Sequence, residues 1–369
     1  MLPQRKPSRS WPRRALAALG ATAGLLGCSH QVGPGTVPVA RMAYNEAVVR
    51  SWDEQLLLNL VRMRYRDTPL FVDVGSITTQ FTLGGDATAD LGFSDDGTTT
   101  RLAGIGLELD YEEKPTITYK PLQGEDFVTR LLGPITPSTL VLLSRSGWSI
   151  ETLLICCVQE INGLRNAVAA AGPTPDYVPE FEAFHRLASR LRELQRLDLL
   201  RVEEDREGKV LLQLPEDPPP SVAAAVEEVR RLLGVPRNVT ELYAVAFRKG
   251  RGENELAVSG RSLLAVLFFL SQGVDAPEED AAAGLVTTTR NPDGSVFDWG
   301  RVTNRLLQVR VSGKPPAAAA VSIPYRGHWF WVADDDLTSK STLSLISFLF
   351  SLKAGSQEAK EPLLTLGVN

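Results

Sequence analysis

Residues 103–111 read AGIGLELDY. Ala103, Ile105, Leu107, Leu109 and Tyr111 alternate with Gly104, Gly106, Glu108 and Asp110. That period of two is the mark of an extended strand with one apolar face. Working outward, SITTQFTL (76–83) sets Ile77, Phe81 and Leu83 against Thr78, Gln80 and Thr82. ADLGF (89–93) repeats the pattern more weakly, and TITYK (116–120) adds a fourth segment. Gly84-Gly85 and Asp95-Asp96-Gly97 are turn chemistry. The expectation is a four-strand antiparallel meander with one apolar face.

On either side the period changes to that of helices. In MAYNEAVVRSWDEQLLLNLVRMRYRD (42–67), Val49, Trp52, Leu56, Leu60 and Met63 mark one buried helical face. Ser51 with Glu54 offers a capping box that restarts the helix after a kink, and Asp67-Thr68-Pro69 ends it. Helices are expected at 124–133 and 149–166, then across YVPEFEAFHRLASRLRELQRLDLL (177–200), followed by a hairpin in LRVEEDREGKVLLQL. PEDPPPS (215–221) breaks the pattern and is read as a boundary between regions 44–214 and 222–369. Beyond it come a short helix, strands near 239–247 and 255–259, and the buried helix SLLAVLFFLSQG. An NPDG turn (291–294), strands near 306–312, 319–325 and 328–333, a last helix and a closing PLLTL strand follow. The fold class is therefore α+β: an N-terminal helix with an antiparallel meander, central helices, and a C-terminal mixed region.

The first 27 residues differ from all of this. Arg5, Lys6, Arg9, Arg13 and Arg14 precede the uncharged run ALAALGATAGLLG (15–27), which is laid out as an export signal and is too short to span a bilayer. Leu25, Leu26 and Gly27 lead into Cys28, and LLGC resembles the lipobox of bacterial lipoproteins. That resemblance implies cleavage before Cys28 and acylation of its sulfur, a stable anchor once two or more chains are attached. Ser29 in place of Asp implies the outer membrane, facing the periplasm. Arg13-Arg14 leaves the export route open between general and twin-arginine secretion. Residues 28–43, which hold Gly33, Pro34, Gly35 and Pro38, are read as a flexible tether.

The mature chain resembles a group of uncharacterised bacterial envelope lipoproteins. YNEAVVRSWDEQLLLNLVRMRYRDTPLF, PTITYKPLQGEDF, SGWSIETLL, INGLRNA and YRGHWFWVADDDLTSKSTL carry the likeness. It implies a shared fold and no particular chemistry.

Composition narrows the function classes. The formal net charge is −5, and the first 27 residues hold five bases and no acid, so the rest stands near −10. That argues against nucleic acid as a partner. Only three histidines occur, His30, His185 and His328, and no H-E-x-x-H or C-x-x-C spacing, so no metal ligand set or cofactor site is written here. G-x-S-x-G, S-x-x-K and the phosphate-binding glycine loops are missing too, and no catalytic residue is assigned. Cys156-Cys157 reads as two buried hydrophobes, and Asp334-Asp335-Asp336 as dipole compensation before a helix rather than a calcium loop. Tyr325, His328, Trp329, Phe330 and Trp331 read as core before binding surface. Ser341, Ser344, Ser347 and Ser351 form a small-residue stripe suited to close approach of a neighbouring element.

Three functions follow as expectations. The leading one is a lipid-anchored envelope protein with a scaffold, assembly or binding role, whose partners are the membrane and other envelope proteins. A second is a subunit of an oligomeric outer-membrane pore or export assembly, with the meander supplying strands. A third is a hydrolase of envelope polymers built from carboxylates distant in sequence.

Overall fold

A computed structural model describes residues 36–92, 101–173, 177–246 and 252–354. The chain divides into two compact units at Asp53/Glu54, inside the first helix, α1 (Thr36–Arg64). Cys28 and PLLTL lie outside the described residues. α1 starts within the stretch read as tether, because Pro38 falls in the first turn, where a helix tolerates proline. α1 is assigned as one helix through Ser51, and Val49 is exposed. Of the expected face Leu56, Leu60 and Met63 are buried, and Leu57 and Val61 join them.

The meander is a different object from the one expected. It consists of two strands, β1 (Val72–Gly92) and β2 (Arg101–Pro121), each 21 residues long and paired antiparallel. At about 3.3 Å per residue the ribbon is about 70 Å long. Gly84-Gly85 is not a turn: the pair sits mid-strand opposite Asp110 and Leu109. AGIGLELDY and TITYK are one strand, with Pro115 inside it. A missing N–H is tolerated there because each strand of a two-stranded ribbon has an outer edge. Asp95-Asp96-Gly97 lies outside the described residues.

The rest of the second unit holds α2 (Glu125–Leu132), α3 (Pro137–Arg145) and α4 (Ile150–Cys157), followed by β3 (Val158–Ile161) and β4 (Leu164–Arg165). α5 (Glu182–Arg196), β5 (Arg201–Glu204), β6 (Val210–Gln213), α6 (Ala223–Leu233), β7 (Glu241–Ala246) and β8 (Glu255–Gly260) come next. These strands build a six-stranded sheet in the order β4-β3-β8-β7-β6-β5, antiparallel except for the β7/β8 pair. Residues 215–221 therefore do not separate two domains. The strands flanking them are neighbours, with Leu211 opposite Tyr243. The prolines mark a connection at that sheet and nothing more.

The helix expected over 149–166 stops at Cys157. Its last carbonyls are taken by side chains from elsewhere. Asn166 Nδ2 donates to Ile155 O at 2.9 Å and to Val158 O at 2.6 Å. Arg261 Nη1 donates to Ile155 O at 2.7 Å and Cys156 O at 3.0 Å. A helix end satisfied in this way needs no further turn.

α7 (Leu263–Ser271) is the expected apolar helix, with Val266, Leu267, Phe269 and Leu270 fully buried. α8 (Glu278–Ala282) and α9 (Gly300–Thr303) are short. The NPDG turn closes a single isolated bridge, Arg290 to Val296, rather than a hairpin of two strands. β9 (Arg310–Ser312), β10 (Ala319–Tyr325) and β11 (His328–Ala333) form a three-stranded sheet in the order β10-β11-β9. The two-residue turn Arg326-Gly327 has both φ angles positive, 48° and 84°, as a tight hairpin requires. α10 (Leu337–Ala354) buries Leu345, Ile346, Leu349 and Phe350.

Candidate functional site

The β1–β2 ribbon joins no other sheet, so neither of its outer edges pairs with a further strand among the described residues. An isolated two-stranded hairpin is marginal in water. Its base, by contrast, is firmly held. Gln55 Nε2 donates to Val72 O at 2.9 Å while Val72 N donates to Gln55 Oε1 at 2.6 Å. One helical turn on, Asn59 Nδ2 donates to Leu70 O at 2.8 Å and Leu70 N donates to Asn59 Oδ1 at 3.0 Å. An amide side chain presents the donor and acceptor of a peptide group. Spaced four apart on a helix, two such amides match alternate residues of an extended chain. The helix thus acts as a short neighbouring strand. Leu122 N closes the other side onto Phe71 O at 2.9 Å, and the Phe71 ring packs on Phe350 at 4.6 Å.

Beyond this clamp every described side chain of β2, Lys114 through Pro121, is exposed, with Ile117 at 42% and Tyr119 at 59%, while Val74 to Ile77 of β1 are half-buried. Between register shifts at Val74/Ser76 and Ala89/Leu91 the pairing is continuous, from Ser76 opposite Thr118 to Ala89 opposite Ile105. Odd-numbered positions of both strands therefore share one face and even-numbered positions the other. Over 81–89 and 103–111 the odd positions are Phe81, Leu83, Gly85, Ala87 and Ala89 with Ala103, Ile105, Leu107, Leu109 and Tyr111. The even positions from 76 to 88 and 106 to 118 are Ser, Thr, Gln, Gly, Asp, Glu and Lys throughout. Thus the alternation read from the sequence is continuous across both strands.

No family model, curated protein or solved structure matches this chain. Function must be argued from the geometry alone.

Among the described residues no group of three or more His, Cys, Asp or Glu is placed to hold a metal ion. Asp336 caps α10, accepting from Ser339 N at 3.0 Å and Ser339 Oγ at 2.6 Å, and Asp334 pairs with Lys340 Nζ at 2.8 Å. The acidic run is helix capping. Cys156 and Cys157 are both buried and unbridged, and a hydrogen bond between them, with burial, pushes the Cys157 thiol well above its ordinary range. They are small core residues. Phe330 is fully buried, edge-on to Tyr65 and Tyr325 at 6.2 and 6.4 Å, while Trp329, Trp331 and Tyr325 are half-buried. The aromatic run is core at its centre, and His328 Nε2 lies 3.0 Å from Glu279 at the rim.

In the serine stripe of α10, Ser341, Ser344 and Ser351 are exposed, and each serine, Ser347 included, turns its hydroxyl back to the carbonyl four residues earlier, at 2.8 to 3.2 Å.

A partly open apolar cavity of about 70 Å³ lies between the six-stranded sheet and α3, α4 and α5, lined by Leu140, Leu153, Leu187, Leu191 and Leu256 among other residues. Ser144 brings a hydroxyl to its lining, and no acid or base stands beside it there. A wider groove holds Trp148, Arg192, Arg305, Ser341 and Phe348. Its arginines are engaged, Arg305 by Glu151 at 2.6 Å and Arg192 by Gln195 at 2.7 Å.

His185 is 6% exposed, its Nε2 has no hydrogen-bond partner, and burial with the nearby Arg305 and Arg261 charges lowers its pKa from 6.5 to about 4. The folded chain keeps this ring neutral, so between these values the unfolded chain binds the extra proton. Stability should be complete above about pH 6.5 and decline as pH falls toward 4, by at most about 3 kcal/mol. Urea unfolding midpoints measured from pH 7 to 4 check this, and His185→Leu should flatten the slope.

Proposed function

We propose that this chain is a lipid-anchored cell-envelope protein, attached through Cys28 at the outer membrane and facing the periplasm, and that it works by assembly. A folded body holds the β1–β2 ribbon by its base and offers the ribbon to a larger sheet. One observation carries the reading: two 21-residue strands, clamped at one end, with both outer edges unpaired among the described residues. Monomeric proteins guard long edges by covering, charging or shortening them, whereas these edges run the length of the ribbon. The sequence signal at 15–28 supports the anchor, and no described helix is long and apolar enough to cross a membrane.

Excision tests this directly. Residues 76–118 are replaced by a two-residue Asn-Gly turn, which leaves the Gln55 and Asn59 clamps in place. The variant is expected to keep the thermal unfolding transition of the body and its envelope fractionation, yet to lose every high-mass species on native electrophoresis of membrane extracts. Unchanged high-mass species would reject the assembly role.

A further inference from the structure

The ribbon carries more information than a free edge, and the inference below rests on the assembly reading just given. We infer that copies of this chain pair ribbon to ribbon, β2 of one against β1 of the next, and close a β-barrel that crosses a lipid bilayer. Its odd-numbered face meets the hydrocarbon, and its even-numbered face lines a water-filled, acidic lumen.

Length is the first argument. The uncharged odd-face band covers nine residues on each strand, 81–89 and 103–111. Tilted strands cross a bilayer core with about 9 to 11 residues. Phe81 and Tyr111 fall at the same end of the band, toward the clamped base, where barrels place their interfacial aromatics. Past them come Glu113 and Lys114, and then seven further residue pairs that would stand clear of the membrane as a collar.

The second argument is polar satisfaction. In hydrocarbon every backbone N–H and C=O needs an internal partner, and only a closed barrel gives strands that condition. Neither of the other two sheets of the described residues extends to the ribbon edges. No further strand of the described residues pairs with these edges, which leaves them open to other copies.

Charge then selects copies and their order. β1 carries no ionised residue from Thr79 to Gly85, whereas β2 concentrates Glu108, Asp110, Glu112 and Glu113 at its middle. Pairing β2 with a second β2 about its centre would set acids opposite acids, which is destabilising. Pairing β2 with the next copy's β1 in the ribbon's own register puts Asp110 beside Gly84 and Glu112 beside Thr82, and leaves only Glu108 facing an acid, Asp86, as it already does within the ribbon. This head-to-tail contact is the kind that generates rings. Two strands per copy give an even, wholly antiparallel count for any ring, and about eight copies reach the roughly 16 strands at which a barrel keeps an aqueous channel. Asp86 opposite Glu108 within one ribbon is a like-charge pair that only a wet, cation-filled interior accommodates cheaply.

The experiment uses the full-length lipidated protein. A photo-crosslinking residue replaces the exposed Thr116, and cells are irradiated before extraction. In parallel, purified protein is reconstituted in vesicles of phosphatidylethanolamine and phosphatidylglycerol, and potassium and chloride permeation are compared from the reversal potential. The inference expects adducts of the chain to itself as a ladder, together with conductance that prefers potassium. Asp110→Asn with Glu112→Gln should reduce that preference at least twofold, while Leu107→Asp, on the lipid face, should abolish conductance with the body's melting transition unchanged. Self-adducts without conductance, or conductance without cation preference, overturn the barrel. Adducts only to a different envelope protein overturn the inference and leave the assembly role standing. No adduct to any protein overturns both.

Discussion

Arg261→Met is expected to lower the unfolding free energy by about 2 to 4 kcal/mol, the cost of leaving buried carbonyls without their charged donor. Arg261 is completely buried, yet no carboxylate neutralises it. Carbonyls do the work instead. Its guanidinium donates to Ile155 O, Cys156 O and Asn166 O and lies 3.9 Å from the Phe269 ring centre. Two of these oxygens belong to the C-terminal end of α4, where the helix dipole favours a cation. Burial lowers the Arg261 pKa only to about 10, so the charge persists at neutral pH. Methionine fills much of the volume and takes the guanidinium donor from Cys156 O and Asn166 O, each costing about 1 to 3 kcal/mol, while Ile155 O keeps Asn166 Nδ2. Part of that is returned because no cation need be desolvated, which sets the net figure. Arg261→Lys should fall between, since an ammonium cannot fork toward three oxygens held in fixed directions. Urea unfolding followed by tryptophan fluorescence measures both; a loss under 1 kcal/mol for the methionine variant would refute this account.

The second large effect concerns the ribbon base. The double variant Gln55→Leu, Asn59→Leu removes four hydrogen bonds to the backbones of Leu70 and Val72. At about 1 kcal/mol each the loss is about 4 kcal/mol. Asn59 is fully buried, so its share is the larger. The loss should be local as well as global. Hydrogen exchange at the Leu70 and Val72 amides should accelerate at least a hundredfold, whereas exchange in the six-stranded sheet follows only the change in global stability. If the assembly reading holds, high-mass species should weaken in the same variant, because a ribbon free to swing no longer presents its edges at a fixed angle. Preserved protection at both amides would show that the clamp does not hold the base.

Much of the ribbon was legible in the sequence. Alternation from Ile77 to Leu83, broken only at Thr79, and from Ala103 to Tyr111 announces strands and their apolar face. Strand number was not legible, because Gly84-Gly85 is turn chemistry locally and becomes mid-strand only when the opposite chain extends past it. The end of α4 at Cys157 is hidden for a similar reason: the donors that stop it come from Asn166 and from Arg261, about a hundred residues away. Prolines at 218–220 looked like a boundary, since a sequence shows a break in pattern but not which strands meet across it. The clamp was missed although a signal existed. Gln55 and Asn59, two amides four apart on an otherwise apolar helical stripe, are costly to bury without partners, and that cost points to a backbone waiting beside them.

The adjacent sulfurs in the core have a practical consequence. Cys156 and Cys157 are both wholly inaccessible, and the second holds its proton tightly. Cys28 is the only other cysteine in the chain. A mild alkylating reagent applied to the native molecule therefore meets at most one reactive thiol, so labelling stoichiometry before and after denaturation reports on the tether's own chemistry without any engineered substitution.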